Sequence, residues 1–278
     1  MHQDAPAKIN LRLEIVGRRA DGYHLLRSIM VPISLADRLS LHLTKTRDIE
    51  FSCDSPNIPT DGTNLVVRAA KALQQAAGVD LGAKIHLEKR IPASAGLGGG
   101  SSDAAATLMG LRQLWKVEID DARLSALALE LGADVPFFLA ESACLAEGVG
   151  ERLNPYHVKA GIALALVKPE RGLSTPEVYR ALNWPLTQKV KLNKLPPSIG
   201  DQDAACALLR NDLEDPATRL MPQVSECKAF LREQGAVGVL MTGSGPTVFG
   251  IYNERKQAER ACEVARQRNW WAFACDTA

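Results

Sequence analysis

No stretch of this 278-residue sequence approaches the roughly 20 consecutive apolar residues of a membrane-spanning helix. The first residues, Met1 to Asp4, are polar and lack the apolar centre of a secretory signal. The six cysteines are dispersed and none forms a Cys-x-x-Cys pair, so neither a zinc ribbon nor a dithiol redox motif is present. They read as reduced core thiols, which places the chain in the cytoplasm. The five histidines stand in no metal-ligand spacing with one another or with cysteine. Net charge is only +1, so nothing draws the chain as a whole to nucleic acid or to an anionic membrane. The expected partner is a small molecule. The sequence leaves open the choice between a monomer and a weak homodimer.

Hydrophobic residues make up 46% and charged residues 23%, the composition of an ordinary globular chain. Ile9 to Ile15 alternates apolar and polar side chains, the period of a half-buried strand. His24 to Ser34, Arg38 to Leu43 and Lys84 to Ile91 read as further strands. In the last of these, Ile85, Leu87 and Lys89 oppose His86, Glu88 and Arg90. Helices are expected at Asn64 to Ala77 with Gly78 as the stop, at Ser102 to Lys116, and at Ala122 to Leu131 ended by Gly132. Asn154-Pro155 suggests a domain boundary.

The second half restarts with an apolar strand, Ile162 to Val167, and a short helix near Pro176 to Leu182. Trp184 to Gly200, rich in Pro, Lys and Asn, reads as an exposed connection. Helices are expected at Asp203 to Arg210, Pro222 to Gln234 and Glu254 to Arg268. Strands are expected at Val237 to Met241, Thr247 to Tyr252 and Trp271 to Cys275. Many strands alternate in polarity and do not alternate strictly with helices. That predicts an α+β fold with largely antiparallel sheets.

The strongest local feature is Pro92-Ala93-Ser94-Ala95-Gly96-Leu97-Gly98-Gly99-Gly100-Ser101-Ser102, with four glycines in five positions. Glycines let a polyphosphate approach the backbone N–H groups and tolerate the positive φ that turns them inward. Ser101 or Ser102 is suited to cap the helix that follows, whose first N–H groups and positive dipole end attract an anion. The alternative is a flexible turn before a capped helix. No lysine follows the glycines, which excludes a Walker loop. Ser101 stands where the third glycine of a dinucleotide fingerprint would fall, and the preceding strand is half charged. Positive charge for a phosphoryl group must therefore come from elsewhere in the chain.

Two other segments carry candidates. Lys8 and Asn10 share a face of the first strand, to line a cleft or simply to meet solvent. Asp134 follows Gly132 and precedes a helix with Pro136 in its first turn; by position alone it is an N-cap.

Taken in order, the segments around Lys8, the glycine loop and Asp134 resemble those of the GHMP kinase superfamily of small-molecule kinases. Further similarity lies in Arg19-Ala20-Asp21-Gly22-Tyr23-His24, Ala146-Glu147-Gly148-Val149-Gly150-Glu151 and Thr242-Gly243-Ser244-Gly245-Pro246-Thr247. The Asp-Gly-Tyr-His and Gly-Ala-Asp-Val-Pro segments are similar to the branch whose alcohol substrate carries a cytidine diphosphate, an enzyme of non-mevalonate isoprenoid synthesis.

The resemblance implies an N-terminal ATP-binding domain over 1–155, a C-terminal α/β-sandwich domain over 156–278, and an active site in the cleft between. It implies Asp134 as the catalytic carboxylate with Lys8 as its partner, and Pro92 to Ser102 around the ATP phosphates. It also implies Tyr23, His24 and Tyr179 around the cytosine, Asn10 near the diphosphate or hydroxyl, and Gly243, Ser244 and Gly245 offering backbone N–H groups. Mg²⁺ is expected with ATP; Ser101 and Ser102 are the only ligands suggested. Two alternatives stand beside this reading. A mevalonate- or homoserine-type kinase would give Tyr23 and His24 no base to hold. A non-catalytic nucleotide-binding module would be expected to lack Lys8 or Asp134, and both are present.

Overall fold

The computed structural model describes residues 1–182 and 194–278. Contact density groups them into two compact units: Met1–Ala7, Ala36–Ala93 and Gly98–Glu141 form the first, and Lys8–Leu35, Ser94–Leu97 and Ser142–Ala278 the second. The boundary runs through two long strands, β1 (His2–Arg18) and β2 (His24–Thr44), and through the glycine loop.

In the first unit, Arg38 to Thr44 of β2 pairs antiparallel with β4 (Gly82–Glu88), which pairs parallel with β3 (Ile49–Cys53). The helices are α1 (Leu65–Ala77), α2 (Gly99–Leu114), α3 (Asp121–Leu131) and α4 (Val135–Leu139). Leu39, Leu41, Ile85 and Leu87 turn one sheet face inward; Leu73, Leu108, Leu111 and Phe137 are buried on the helices. Period-2 and period-3.6 patterns thus meet as the two faces of one core. Asn64 caps α1, its side chain accepting from the Val66 N–H, and Gly78 ends it with φ +62°.

The second unit contains β5 (Cys144–Gly148), β6 (Arg152–Pro155), β7 (His157–Val158), β8 (Ala163–Lys168), α5 (Thr175–Ala181), β9 (Ser198–Ile199), α6 (Gln202–Leu208), β10 (Arg210–Asn211), α7 (Glu214–Leu220), α8 (Gln223–Glu233), β11 (Gly238–Met241), β12 (Val248–Tyr252), α9 (Arg255–Gln267) and β13 (Trp271–Asp276). One sheet has the order β11-β12-β8-β13, antiparallel throughout. All six residues of β8 are buried, as its central place in that sheet requires. Helices α8 and α9 cover it through Phe230, Leu231, Ala258 and Cys262. Leu26 to Met30 of β2 pairs antiparallel with β5, and β5 with β6; Arg12 and Leu13 of β1 pair parallel with β10.

The expected α+β class with largely antiparallel sheets is what the chain adopts. Two expectations need correction. His24 to Ser34 and Arg38 to Leu43 are one continuous strand, because the charge of Asp37 is met inside the fold rather than at a chain turn. The helix expected from Ser102 begins at Gly99: its N-cap is Gly98, with φ +74° and no side-chain cap bond. Ser101 and Ser102 therefore lie within its first turns and do not cap it. Of the expected connection from Trp184 to Gly200, residues 183–193 lie outside the described residues.

Replacing Asn64 by Ala should lower unfolding free energy by about 1 kcal/mol through loss of the α1 cap. The urea midpoint should fall with the slope unchanged.

Candidate active site

The first strand does not meet solvent at its polar residues. Lys8 and Asn10 are each 3% exposed. Their shared parity on β1 brings the Lys8 Nζ to donate to Asn10 Oδ1 at 2.7 Å. Asn10 donates its backbone N–H to Thr242 Oγ1 at 3.0 Å and its Nδ2 to Ser28 Oγ at 2.7 Å. The same face continues to Arg12 and Glu14. The Glu14 carboxylate accepts from Arg12 at 2.7 Å and from Arg27 at 2.6 Å. Burial pushes that carboxyl up, but the two guanidiniums outweigh it and hold it below its ordinary value.

Thr242 opens the Gly-Ser-Gly turn between β11 and β12. Gly243 and Gly245 adopt φ +57° and +81°, and the Gly245–Pro246 peptide is cis. Asn211 Nδ2 fixes the turn by donating to the carbonyls of Met241 and Gly243, both at 2.8 Å. Ser244 Oγ lies 2.7 Å from Thr175 Oγ1. The Gly245 N–H donates to the Thr242 carbonyl at 3.0 Å, within the turn itself.

Residues Ser94 to Leu97 of the glycine loop pack against this turn. A Cβ on Gly96 would stand 2.4 Å from the Thr242 carbonyl oxygen, and Gly96 itself has φ +75°. A Cβ on Gly243 would stand 2.8 Å from the Gly96 carbonyl and 3.2 Å from the Lys8 ammonium. The Lys8 N–H donates to the Leu97 carbonyl at 3.0 Å. Lys8, Asn10, the glycine loop and the Gly-Ser-Gly turn are thus brought together.

The later part of the loop belongs to the first unit. Gly98 needs its positive φ and Gly99 needs its missing side chain, because a Cβ would lie 2.9 Å from Ile91 and 3.0 Å from the Lys89 ammonium. Gly100 needs neither. It is helical and exposed, and a Cβ there would meet only Leu65 at an ordinary 3.6 Å. Ser102 Oγ is buried without a hydrogen-bond partner.

Lys89 was not singled out by the sequence, although its parity with Ile85 and Leu87 marks a charge on a core face. Its ammonium donates to Asp37 Oδ2 at 2.5 Å and to Asp103 Oδ2 at 2.6 Å. Asp37 Oδ1 accepts from the backbone N–H groups of Arg90 and Ile91 at 2.6 and 2.8 Å. Burial pushes the Asp103 carboxyl up to about 7 against the pull of Lys89, and Asp37 adds to the rise.

At the other candidate subsite, the rings of His24 and Tyr179 lie 5.3 Å apart, tilted by 33°. His24 Nε2 is buried without a hydrogen-bond partner, and burial with nearby Arg18 lowers the imidazole below its ordinary value. The imidazole is therefore neutral at pH 7, with a ring nitrogen unmet. Tyr23 is 66% exposed, a ring open to solvent rather than a core tyrosine. Asp134 stands at the start of α4, half-buried, and its side chain makes no capping hydrogen bond. The N-cap role that its position suggested is not one it performs.

The model of the family described as "GHMP kinases N terminal domain" matches residues 64–142, and that of "GHMP kinases C terminal" matches 192–269. A 4-diphosphocytidyl-2-C-methyl-D-erythritol kinase of Geobacter sp. (strain M21) is 42% identical over 98% of this chain and 97% of its own length. A crystal structure of 4-(cytidine 5'-diphospho)-2C-methyl-D-erythritol kinase superposes with a TM-score of 0.84 at 40% identity, covering 100% of both chains. A mevalonate kinase of Methanococcus jannaschii has a TM-score of 0.70 at 15% identity, covering 100% of this chain and 98% of its own, and shows the fold alone.

The raised Asp103 pKa has a thermodynamic consequence. Folding lifts it from 3.8 to about 7, so the native state holds a proton that the unfolded state has lost across that window. Its contribution is full below the unfolded value and is lost as pH rises through the folded one. Relative to Asp103→Asn, the native protein should lose melting temperature steadily from about pH 4 to about pH 7 and then level off. Thermal scans of both proteins at matched ionic strength measure the difference.

Proposed function

We propose that this chain, which belongs to the GHMP kinases and within them to the 4-diphosphocytidyl-2-C-methyl-D-erythritol kinase family, transfers the γ-phosphoryl group of ATP to the 2-hydroxyl of 4-diphosphocytidyl-2-C-methyl-D-erythritol. The observation that carries the chemistry is the buried Lys8 ammonium, held by Asn10 beside the backbones of Gly96 and Gly243. The substrate oxygen attacks the γ-phosphorus, the bond to the β–γ bridging oxygen breaks, and ADP leaves. Asp134 orients the hydroxyl and receives its proton, and Lys8 stabilises charge on the attacking oxygen. The glycine loop from Pro92 to Ser102 wraps the phosphates, with the first N–H groups of α2 aimed at them.

ATP brings its Mg²⁺ as part of the substrate. Among the described residues no group of three or more His, Cys, Asp or Glu side chains is arranged to hold an ion. The unpartnered Ser102 hydroxyl at the first turns of α2 fits as one ligand to an ion carried on the phosphates.

Cytosine recognition is assigned to His24 and Tyr179, with Tyr23 supplying a further ring; Asn10 and the Gly243–Gly245 turn face the rest of the substrate. The unmet His24 Nε2 beside an aromatic ring favours this substrate over mevalonate or homoserine, which carry no base. The division into an N-terminal domain over 1–155 and a C-terminal domain over 156–278 is supported by one family match on each side of residue 155. Cytoplasmic residence is supported by six cysteines that are all free. Among the described residues no helix is long and apolar enough to cross a membrane.

Cytidine monophosphate should inhibit competitively against the alcohol substrate and not against ATP. Asp134→Asn should lower turnover at least about a hundredfold with ATP binding kept. Inhibition absent or competitive with ATP, or near-normal turnover of Asp134→Asn, overturns the assignment.

Gly100 separates a ligand requirement from a folding requirement. Gly100→Ala should raise stability by about 0.4–1 kcal/mol, since the backbone is helical and the space is open. It should raise KM for ATP by about tenfold or more, because the methyl occupies the approach to the phosphates. Melting and steady-state kinetics on one preparation test both halves.

A further inference from the structure

Resting on the reading that Pro92 to Ser102 binds the phosphates of ATP, we propose that Lys89, clasped between Asp37 and Asp103, is the positioning residue of that loop. It ties the chain that enters the loop to the helix that leaves it, and so fixes where the first N–H groups of α2 point.

The three residues come from three segments of the first unit. Asp37 lies on β2, Lys89 follows β4, and Asp103 lies in the second turn of α2. Asp37 is fully buried and satisfied by three donors: the Lys89 ammonium and the N–H groups of Arg90 and Ile91. Those N–H groups immediately precede Pro92, so Asp37 clamps the backbone where the loop begins. The other side of the Lys89 ammonium meets Asp103, and its Nζ lies 3.0 Å from where a Gly99 Cβ would be. One ammonium therefore touches the structure on both sides of the loop, and Gly99 lacks a side chain where that ammonium must fit.

Stability does not account for this cluster. Burying an ammonium between two carboxyl groups is costly, and apolar side chains of similar volume commonly serve as well or better. The Lys89 ammonium is also already engaged by the Asp37 and Asp103 carboxyl groups, which leaves it little to offer a phosphate. What the cluster supplies is a fixed direction. Helix N–H groups stabilise a phosphate only when their alignment is held to a fraction of an ångström, and small misplacements are expensive in rate.

The test uses full-length protein and a non-hydrolysable ATP analogue, with affinity measured by calorimetry and melting recorded on the same samples. Lys89→Met alone strands two buried carboxylates, so Lys89→Met/Asp103→Asn is the principal variant. It removes one charge of each sign and leaves Asp37 on its two N–H groups. Its melting temperature should stay within a few degrees of native, its affinity for the analogue should fall at least about tenfold, and KM for the alcohol should change less than about twofold. A folded double variant that binds the analogue within about twofold of native overturns the proposal. If the double variant does not fold, Asp103→Asn decides instead. With the Asp103 carboxyl replaced by an amide, its analogue affinity at about pH 8, above the Asp103 transition, should fall about threefold or more, and unchanged affinity overturns the proposal. Native protein that binds the analogue but phosphorylates no cytidyl alcohol would remove the substrate assignment and leave this proposal standing on the same binding data. Native protein that does not bind the analogue would overturn both.

Discussion

Two backbones in the second unit approach so closely that only glycine fits between them. At Gly96 a methyl group would stand 2.4 Å from the Thr242 carbonyl, and at Gly243 it would stand 2.8 Å from the Gly96 carbonyl. This contact locks a loop near residue 96 onto a turn near residue 243, and β1 is tied to both. The Lys8 N–H reaches the Leu97 carbonyl, and the Asn10 N–H reaches Thr242 Oγ1. Three segments spread over the chain thereby present a buried ammonium, an amide and a row of bare backbone in one place. Substituting either glycine strains a positive-φ position and separates the segments as well.

The glycines of the loop do different jobs. Gly96 and Gly98 supply backbone conformation, Gly96 and Gly99 supply room for protein atoms, and Gly100 leaves room that no protein atom uses. No folding requirement for glycine is visible at Gly100, and the proposed phosphate contact gives that position a reason. The same logic applies to His24, whose buried Nε2 has no partner while its ring lies against Tyr179. An unmet buried nitrogen is costly unless something arrives to meet it. Both features belong to the segments for which the resemblance to GHMP kinases implied the two substrates.

Much of this was legible in the sequence, and what was not has physical reasons. The shared parity of Lys8 and Asn10 followed from strand geometry, and the contact between Nζ and Oδ1 bears it out. Their burial did not follow, because alternation alone cannot distinguish solvent from a polar interior. The link from His24 to Tyr179 came from family resemblance, since no local pattern joins residues so far apart. The start of α2 was misread because serine is a strong cap signal, and a glycine with φ +74° was the real one. Asp37 and Lys89 were missed for a related reason. A charge beside an apolar run reads as the end of a strand, unless its partners are known, and here each charge is the other's partner. Strand β3 does alternate, Ile49, Phe51 and Cys53 against Glu50 and Ser52, and was missed all the same; β6 and the short α7 have too few residues to show a period.

The central claim is that these residues carry a phosphoryl group from ATP to one hydroxyl of a cytidyl alcohol. Phosphorus-31 NMR of purified protein with Mg-ATP and 4-diphosphocytidyl-2-C-methyl-D-erythritol tests it most directly. The account predicts a new phosphomonoester resonance, coupled to carbon 2 of the erythritol, growing in step with ADP. ATP left intact, or hydrolysed to inorganic phosphate with the alcohol unchanged, would contradict it.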